Sequence, residues 1–202
     1  MNTPDNIPNT PQEGTPEYDQ YMKDQFGEDY ELGYRVGFGR RLGAYFIDFI
    51  FTIIIYAVAM SVTGAIDEIM KIDDIFNNIN KYMLVVQDAT LLGVLFSLLY
   101  YSTEIFFSAS PGKMILGIRI GQENRHVASL SSLVTRYLLK HSSAILSALS
   151  LIVLLPILSS LSSILQLIIV VGFFFTLSVK RQALHDILSK TAVYFKENIK
   201  QY

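Results

Sequence analysis

The sequence predicts an all-α membrane protein, a four-span helical bundle with a small two-stranded β element on the cytoplasmic side and an interfacial amphipathic helix. Three observations carry this expectation. Leu42 to Ala65 holds one charge in 24 residues, and Ser142 to Val179 holds none in 38. Basic residues concentrate in alternate loops. Two short segments rich in β-branched residues, Met114–Ile120 and Thr191–Phe195, fall on the same predicted side of the membrane. The 51% hydrophobic content is only slightly high, so distribution rather than composition is informative.

Residues 1 to 33 are expected to form a disordered cytoplasmic tail. The first 41 residues hold 8 of the 18 acids and 4 of the 6 prolines, too little apolar surface to offset chain entropy. Tyr18, Tyr21 and Tyr30 in this tail are either solvated or offered to a partner. Met1 to Pro16 has neither a basic n-region nor an apolar h-region, so the first hydrophobic run is expected to remain as an anchor.

The membrane domain is expected over 34–202. Its first span, about 42–63, has 22 residues, and about 20 cross the hydrocarbon layer. The second covers about 83–107, interrupted near its ends by Asp88 and Glu104. Ala89, Gly93 and Ser97 recur every four residues on it and predict close helix packing. The apolar run from 142 to 179 is too long for one crossing, and Pro156 followed by Ser159–Ser163 predicts a hairpin. The third and fourth spans are therefore placed at about 142–157 and 160–179.

Loop charges set the orientation. Arg35, Arg40 and Arg41 lie just before the first span, two basic residues lie in loop 64–82, five in loop 108–141, none at the 157–159 turn and five after 179. Four spans with both termini in the cytoplasm fit this alternation. The two β-branched segments can then pair. Leu130–Leu139 gathers Leu130, Leu133, Val134, Tyr137 and Leu138 on one face and Arg136 with Lys140 on another. That pattern suits a helix lying in the cytoplasmic interface, or an extended start of the third span.

Composition narrows the chemistry. A net charge of −2 gives no footprint for nucleic acid. Without cysteine there is no thiol catalysis or cysteine-held metal, and three scattered histidines build no metal centre. Ser108–Lys113, SASPGK, lacks the full phosphate-loop pattern and reads as a turn with Lys113 at the headgroups. His185 and Asp186 have no nucleophile motif beside them, so no enzyme, cofactor or catalytic residue is expected.

Asp48 is the most telling residue. A charge inside the bilayer costs about 2.5–3.5 kcal/mol and usually faces a partner or a water path. Asp48 follows Arg41 by seven residues, about 10 Å along the same helix face, so each needs a partner elsewhere. It is either a staple between helices or an ion or proton site. Glu104, Tyr100 and Tyr101 are its expected neighbours, and a Glu104 neighbour would make a carboxylate pair that shares a proton or binds a cation. Glu104 and Asp88 can also simply lie among the headgroups.

Three blocks together carry a family resemblance: RRLGAYFID (Arg40–Asp48), SASPGKMILGIRI (Ser108–Ile120) and RQALHDILSKTAV (Arg181–Val193). In that order they resemble the hallmark blocks of the RDD membrane protein family, named for one arginine and two aspartates. The resemblance implies that these are Arg41, Asp48 and Asp186. Arg41 ends the polar approach to the first span and Asp186 follows the last span by a few residues, so the two are expected to lie close together at the cytoplasmic membrane surface. Lys190 stands where the family usually has glycine, which predicts a different turn before Thr191. The family is mostly bacterial and is commonly given a transport role, so the expected location is the inner membrane. Two functions stay open: movement of a small cation or proton past Asp48 and Glu104, in a homo-oligomer or with a membrane-protein partner, or a non-transporting scaffold that recruits cytoplasmic partners.

Overall fold

The computed structural model describes residues 11–12, 15–72 and 77–200; the first ten residues of the expected tail and the loop acids Asp73 and Asp74 lie outside them. Four apolar helices pack as a bundle, with a small sheet and short helices gathered at one end.

The expectation of a disordered tail is corrected over its described part. Helix α1, Pro16–Phe26, opens on Thr15, whose side chain accepts from the Tyr18 amide at 3.2 Å. Pro16 sits in the first turn, Glu17 and Asp19 favour the positive end of the dipole, and Gly27 at φ +76° ends the helix. A 3-10 segment, Glu28–Tyr34, leads to the bundle. Local capping and the ion pairs described below hold this stretch, and tail composition reports neither.

Helix α2 runs Phe38–Val62, starting four residues before the expected span. After the short helix α3, Ala65–Met70, helix α4 covers Ile79–Tyr101 and continues through α5, Thr103–Phe107. The small-residue face of α4 packs as expected: a Cβ at Gly93 would lie 2.6 Å from the Tyr56 ring of α2.

The run from 142 to 179 folds as a hairpin of unequal arms. Helix α8, Ser142–Val153, stops at Leu154, which is left-handed at φ 57°. Helix α9 begins at Pro156, ends at Phe173, and a 3-10 turn extends it to Leu177. Three segments are long and apolar enough to cross a membrane, Phe38–Val62, Ile79–Phe107 and Pro156–Leu177. Helix α8 has 12 residues, a rise of about 18 Å, so the third expected span is short of a full crossing as a helix. Phe46, Ile50, Ile54, Leu99, Ile157 and Leu167 are among the many large apolar side chains left outward-facing. An apolar face of this extent matches lipid rather than water.

The one-turn helix α6, Pro111–Ile115, precedes strand β1, Ile118–Gln122. The strand therefore starts four residues later than MILGIRI suggested, because Met114 and Ile115 complete the turn that Pro111 begins. Strand β2, Thr191–Phe195, pairs antiparallel with β1, Ile118 opposite Phe195 and Gln122 opposite Thr191. One face of this sheet, with Ile118, Ile120 and Val193, packs on Val36, Ala44 of α2 and Leu133. The other holds Ala192 and Tyr194 beneath Tyr34.

Helix α7, Leu130–Lys140, is capped by Ser129 and covers the expected segment, and it buries Leu133 as expected, but its two expected faces do not divide into buried and exposed. Arg136 is buried, while Leu130 and Leu138 are exposed. Helix α10, Leu184–Leu188, follows α9. Arg41 near the start of α2, Glu104 at the end of α4–α5 and Asp186 on α10 meet through direct or shared ion pairs. The start of α2 and the ends of α5 and α9 therefore lie at one end of the bundle.

Candidate functional site

Two groups of buried polar side chains occupy this end. The first surrounds Asp48, 3% exposed on α2. Its Oδ1 accepts from the Tyr100 hydroxyl at 2.8 Å and from the Gly112 amide at 2.7 Å; its Oδ2 accepts from the Ser110 hydroxyl at 2.5 Å. Every one of these donors is neutral. Pro111 sets the turn that aims the Gly112 amide at the carboxylate. A Cβ at Gly112 would lie 2.4 Å from the Ala44 carbonyl and 2.7 Å from Asp48 Oδ1, so only glycine allows α6 to lie this close to α2. Thr52, one turn on, donates to the Asp48 carbonyl at 2.9 Å and is 3.2 Å from the Tyr101 hydroxyl.

The second group is a network of full charges. Glu104 receives Lys113 at 2.6 Å and Lys140 at 2.7 Å on Oε1, and Arg136 at 2.7 Å on Oε2. Arg136 also reaches Asp186, whose Oδ1 accepts from Arg136 Nε at 2.8 Å. The other oxygen of Asp186 accepts from Arg41 Nη1 at 2.5 Å and from the Ala183 amide at 3.1 Å. Arg41 spends its remaining donors on the carbonyls of Val36 and Arg181, at 3.0 and 2.7 Å. The guanidinium planes supply the paired donors that a carboxylate fits.

Electrostatics follow from this packing. Burial opposes the charge on Asp186, but Arg136 and Arg41 outweigh it and hold the carboxyl well below its usual range. Burial depresses His185 to about 3; Asp186 opposes that fall and Arg136 reinforces it. Its imidazole is therefore neutral near pH 7 and lies 3.3 Å from Arg136 Nη2. Burial and the neighbouring Arg136 push Lys113 down to about 7, against the pull of Glu104. Arg136 is itself raised: burial works against it, and Asp186 and Glu104 more than compensate.

The structure thus brings Arg41 and Asp186 together, as their positions beside the first and last spans led us to expect, and sets Tyr100 against Asp48. Glu104 is not the partner of Asp48, because three cations hold it in the other group. Lys113 and His185 join that network rather than the headgroup layer or a catalytic pair. Asp88 is exposed on α4, sixteen residues from Glu104, and belongs to neither group. The sequence pattern sets Arg136 and Lys140 on the polar face of an interfacial helix, and the structure turns both toward Glu104. Their four-residue spacing puts them on one side of α7, and nothing local says that the side turns inward. Lys190 is at φ 53°, the left-handed conformation glycine favours, so the turn before Thr191 keeps a glycine-type geometry despite the lysine. Among the described residues no group of three or more His, Asp or Glu could hold a metal ion.

No curated protein and no solved structure matches the chain. The RDD family profile matches residues 35–190, an interval that begins just before α2 and ends at the turn into β2. It contains Arg41, Asp48, the α6 turn and Asp186, the parts that build both polar groups. On that match the chain belongs to the RDD family.

Proposed function

We propose that this is a four-pass membrane protein of the inner membrane that moves a proton or a monovalent cation through Asp48. One observation carries the reading: Asp48 is a buried carboxylate whose partners are all neutral, whereas Glu104 and Asp186 are saturated by cations. A positive charge can enter at Asp48 without displacing another. The groups that would receive it are oxygens: the carboxylate, the Ser110 and Tyr100 hydroxyls, which can turn, and the nearby Ala44 carbonyl. Hard oxygen donors suit a proton or an alkali cation.

The basic residues around the sheet end favour a cytoplasmic position for it. In this reading α8 and α9 form the last re-entry, with both termini on the cytoplasmic side. Four helices enclose little room for a path, so in this reading the working unit is a homo-oligomer. The test is flux of protons and alkali cations into proteoliposomes, wild type against Asp48→Asn. Wild-type flux that is lost in the variant supports the reading. A wild type with no flux, or a variant that keeps it, overturns it.

A further inference from the structure

Outside the bundle, a second pair of cations is built into the sheet. Arg125 follows β1 and Lys200 lies near the end of the described chain. The Lys200 amide donates to the Arg125 carbonyl at 3.0 Å, and His126 and Lys200 form a β-bridge, so the backbone sets the two cations side by side. The Arg125 guanidinium lies 3.9 Å over the Tyr34 ring and 5.5 Å from that of Tyr30. Arg125 is also left-handed, at φ 66°, a conformation a long side chain adopts at a cost. Glycine or asparagine would fit that turn more easily. The position therefore accepts strain in order to present a guanidinium.

Two acids of the N-terminal segment fill this fork. Asp19 accepts from Arg125 Nη2 at 3.0 Å and pairs with Lys200; Glu31 accepts from Arg125 Nε at 2.9 Å and pairs with Lys200 at 3.1 Å. The Tyr30 hydroxyl donates to Asp19 at 2.6 Å and accepts from Arg125 Nη2 at 2.8 Å. Each carboxylate bridges both cations, the disposition in which one tetrahedral anion would present two of its oxygens. Residues 1–34 carry eight acids and one base, and residues 35–202 carry 15 bases and 10 acids, so the N-terminal segment and the rest of the chain are opposite in net charge, −7 against +5. Asp19, Glu31 and Lys200 fall outside the interval that matches the family, 35–190, and Arg125 falls within it.

We propose that Arg125 and Lys200 form a binding site for a phosphate-bearing anion, occupied in cis by Asp19 and Glu31, and that the anion displaces the acidic arm. An arginine edge beside an ammonium matches phosphate oxygens, and the backbone bond between Lys200 and Arg125 sets the two cations side by side independently of the acids. The phosphate comes either from a free ion or from a lipid headgroup. The inference is independent of transport through Asp48.

The test is amide hydrogen exchange on the full chain. Inorganic pyrophosphate is added to protein in zwitterionic micelles at matched ionic strength, and in a second arm nanodiscs of phosphatidylglycerol are compared with phosphatidylcholine. The expected result is faster exchange over residues 16–34 with β1 and β2 unchanged. A response to pyrophosphate assigns a free ion, and a response to phosphatidylglycerol alone assigns the headgroup. Calorimetry on Asp19→Asn/Glu31→Gln should show binding about tenfold tighter, since the internal competitor is weakened. Arg125→Gln, or Lys200→Gln where the former does not fold, should abolish the response. No response to either probe, a response equalled by added chloride, or one that survives both glutamine variants overturns the proposal.

Discussion

Asp48 is 3% exposed and Glu104 1%, yet two hydroxyls and a backbone amide bond the first while two ammoniums and a guanidinium grip the second. Both carboxylates lie toward the same end of the bundle and both are tied to α6, Asp48 through Gly112 and Glu104 through Lys113. The contrast teaches what burial does to a charge. A carboxylate among cations is neutralised in place, and removing one partner strands the others. A carboxylate among neutral donors is solvated without being neutralised, so its charge stays available to something mobile. The Glu104–Asp186 network should accordingly govern stability, and the Asp48 pocket should govern activity.

The largest effect is expected at Arg136, the residue that joins the two network carboxylates. Arg136→Met should destabilise the protein by about 3–5 kcal/mol, because Glu104 and Asp186 both lose a buried partner. Thermal unfolding in detergent measures this. A loss below that of any Asp48 variant would break the comparison.

Gly112→Ala comes next. The added methyl would meet the Ala44 carbonyl, which is backbone and cannot turn aside, so a loss of about 1–3 kcal/mol is expected. The variant should also lower flux, since the Gly112 amide leaves Asp48. Unchanged melting would show that α6 is less closely seated on α2.

Acid should weaken the network through His185. The folded protein keeps this histidine neutral down to about 3, whereas an unfolded histidine takes up a proton near pH 6.5. Between those values the unfolded state binds more protons, so stability falls as pH falls, by at most about 1.4 kcal/mol per pH unit. Asp186, with its depressed carboxyl, adds a loss below the ordinary carboxylate range. Melting temperature against pH should be flatter over pH 4–6.5 in His185→Gln. An equal slope would place the proton uptake elsewhere.

Asp48→Asn should change stability by about 1 kcal/mol or less while abolishing flux. The asparagine oxygen can keep the Gly112 amide, and its NH2 group can donate to Ser110, whose hydroxyl reverses. A loss as large as that of Arg136→Met would make Asp48 a staple and erase the distinction. The smallest effect is a gain: Lys190→Gly should stabilise by about 0.5–1 kcal/mol by relieving the left-handed lysine beside the network.

The segments that face lipid were legible in the sequence because hydropathy is additive along a chain. Twenty apolar residues satisfy their own backbone as a helix wherever they sit, so α2, α4 and α9 could be placed to within a few residues. Asp48 was legible for the same reason, as a charge where the local average allows none. The pairing of Arg41 with Asp186 was legible from their positions beside the first and last spans and from the fit of a guanidinium to a carboxylate.

Partner choice was decided by tertiary structure. Glu104 looked like the neighbour of Asp48 because both lie at the same depth, but depth does not fix the direction around a helix axis. The direction depends on α6 and α7, two segments whose composition suits a membrane surface as well as an interior. Arg136 and Lys140 could turn inward only because two carboxylates from α5 and α10 were there to meet them. The N-terminal segment shows the same limit. Its acids favour a solvated chain until Arg125 and Lys200, about 100 and 170 residues away, are brought beside them. Hydropathy and helix length are properties of the chain as written, so the apolar helices and the charge buried in the first of them follow from composition along the chain. Which cation neutralises which carboxylate depends on distances between elements remote in sequence, and only the packed fold sets those distances.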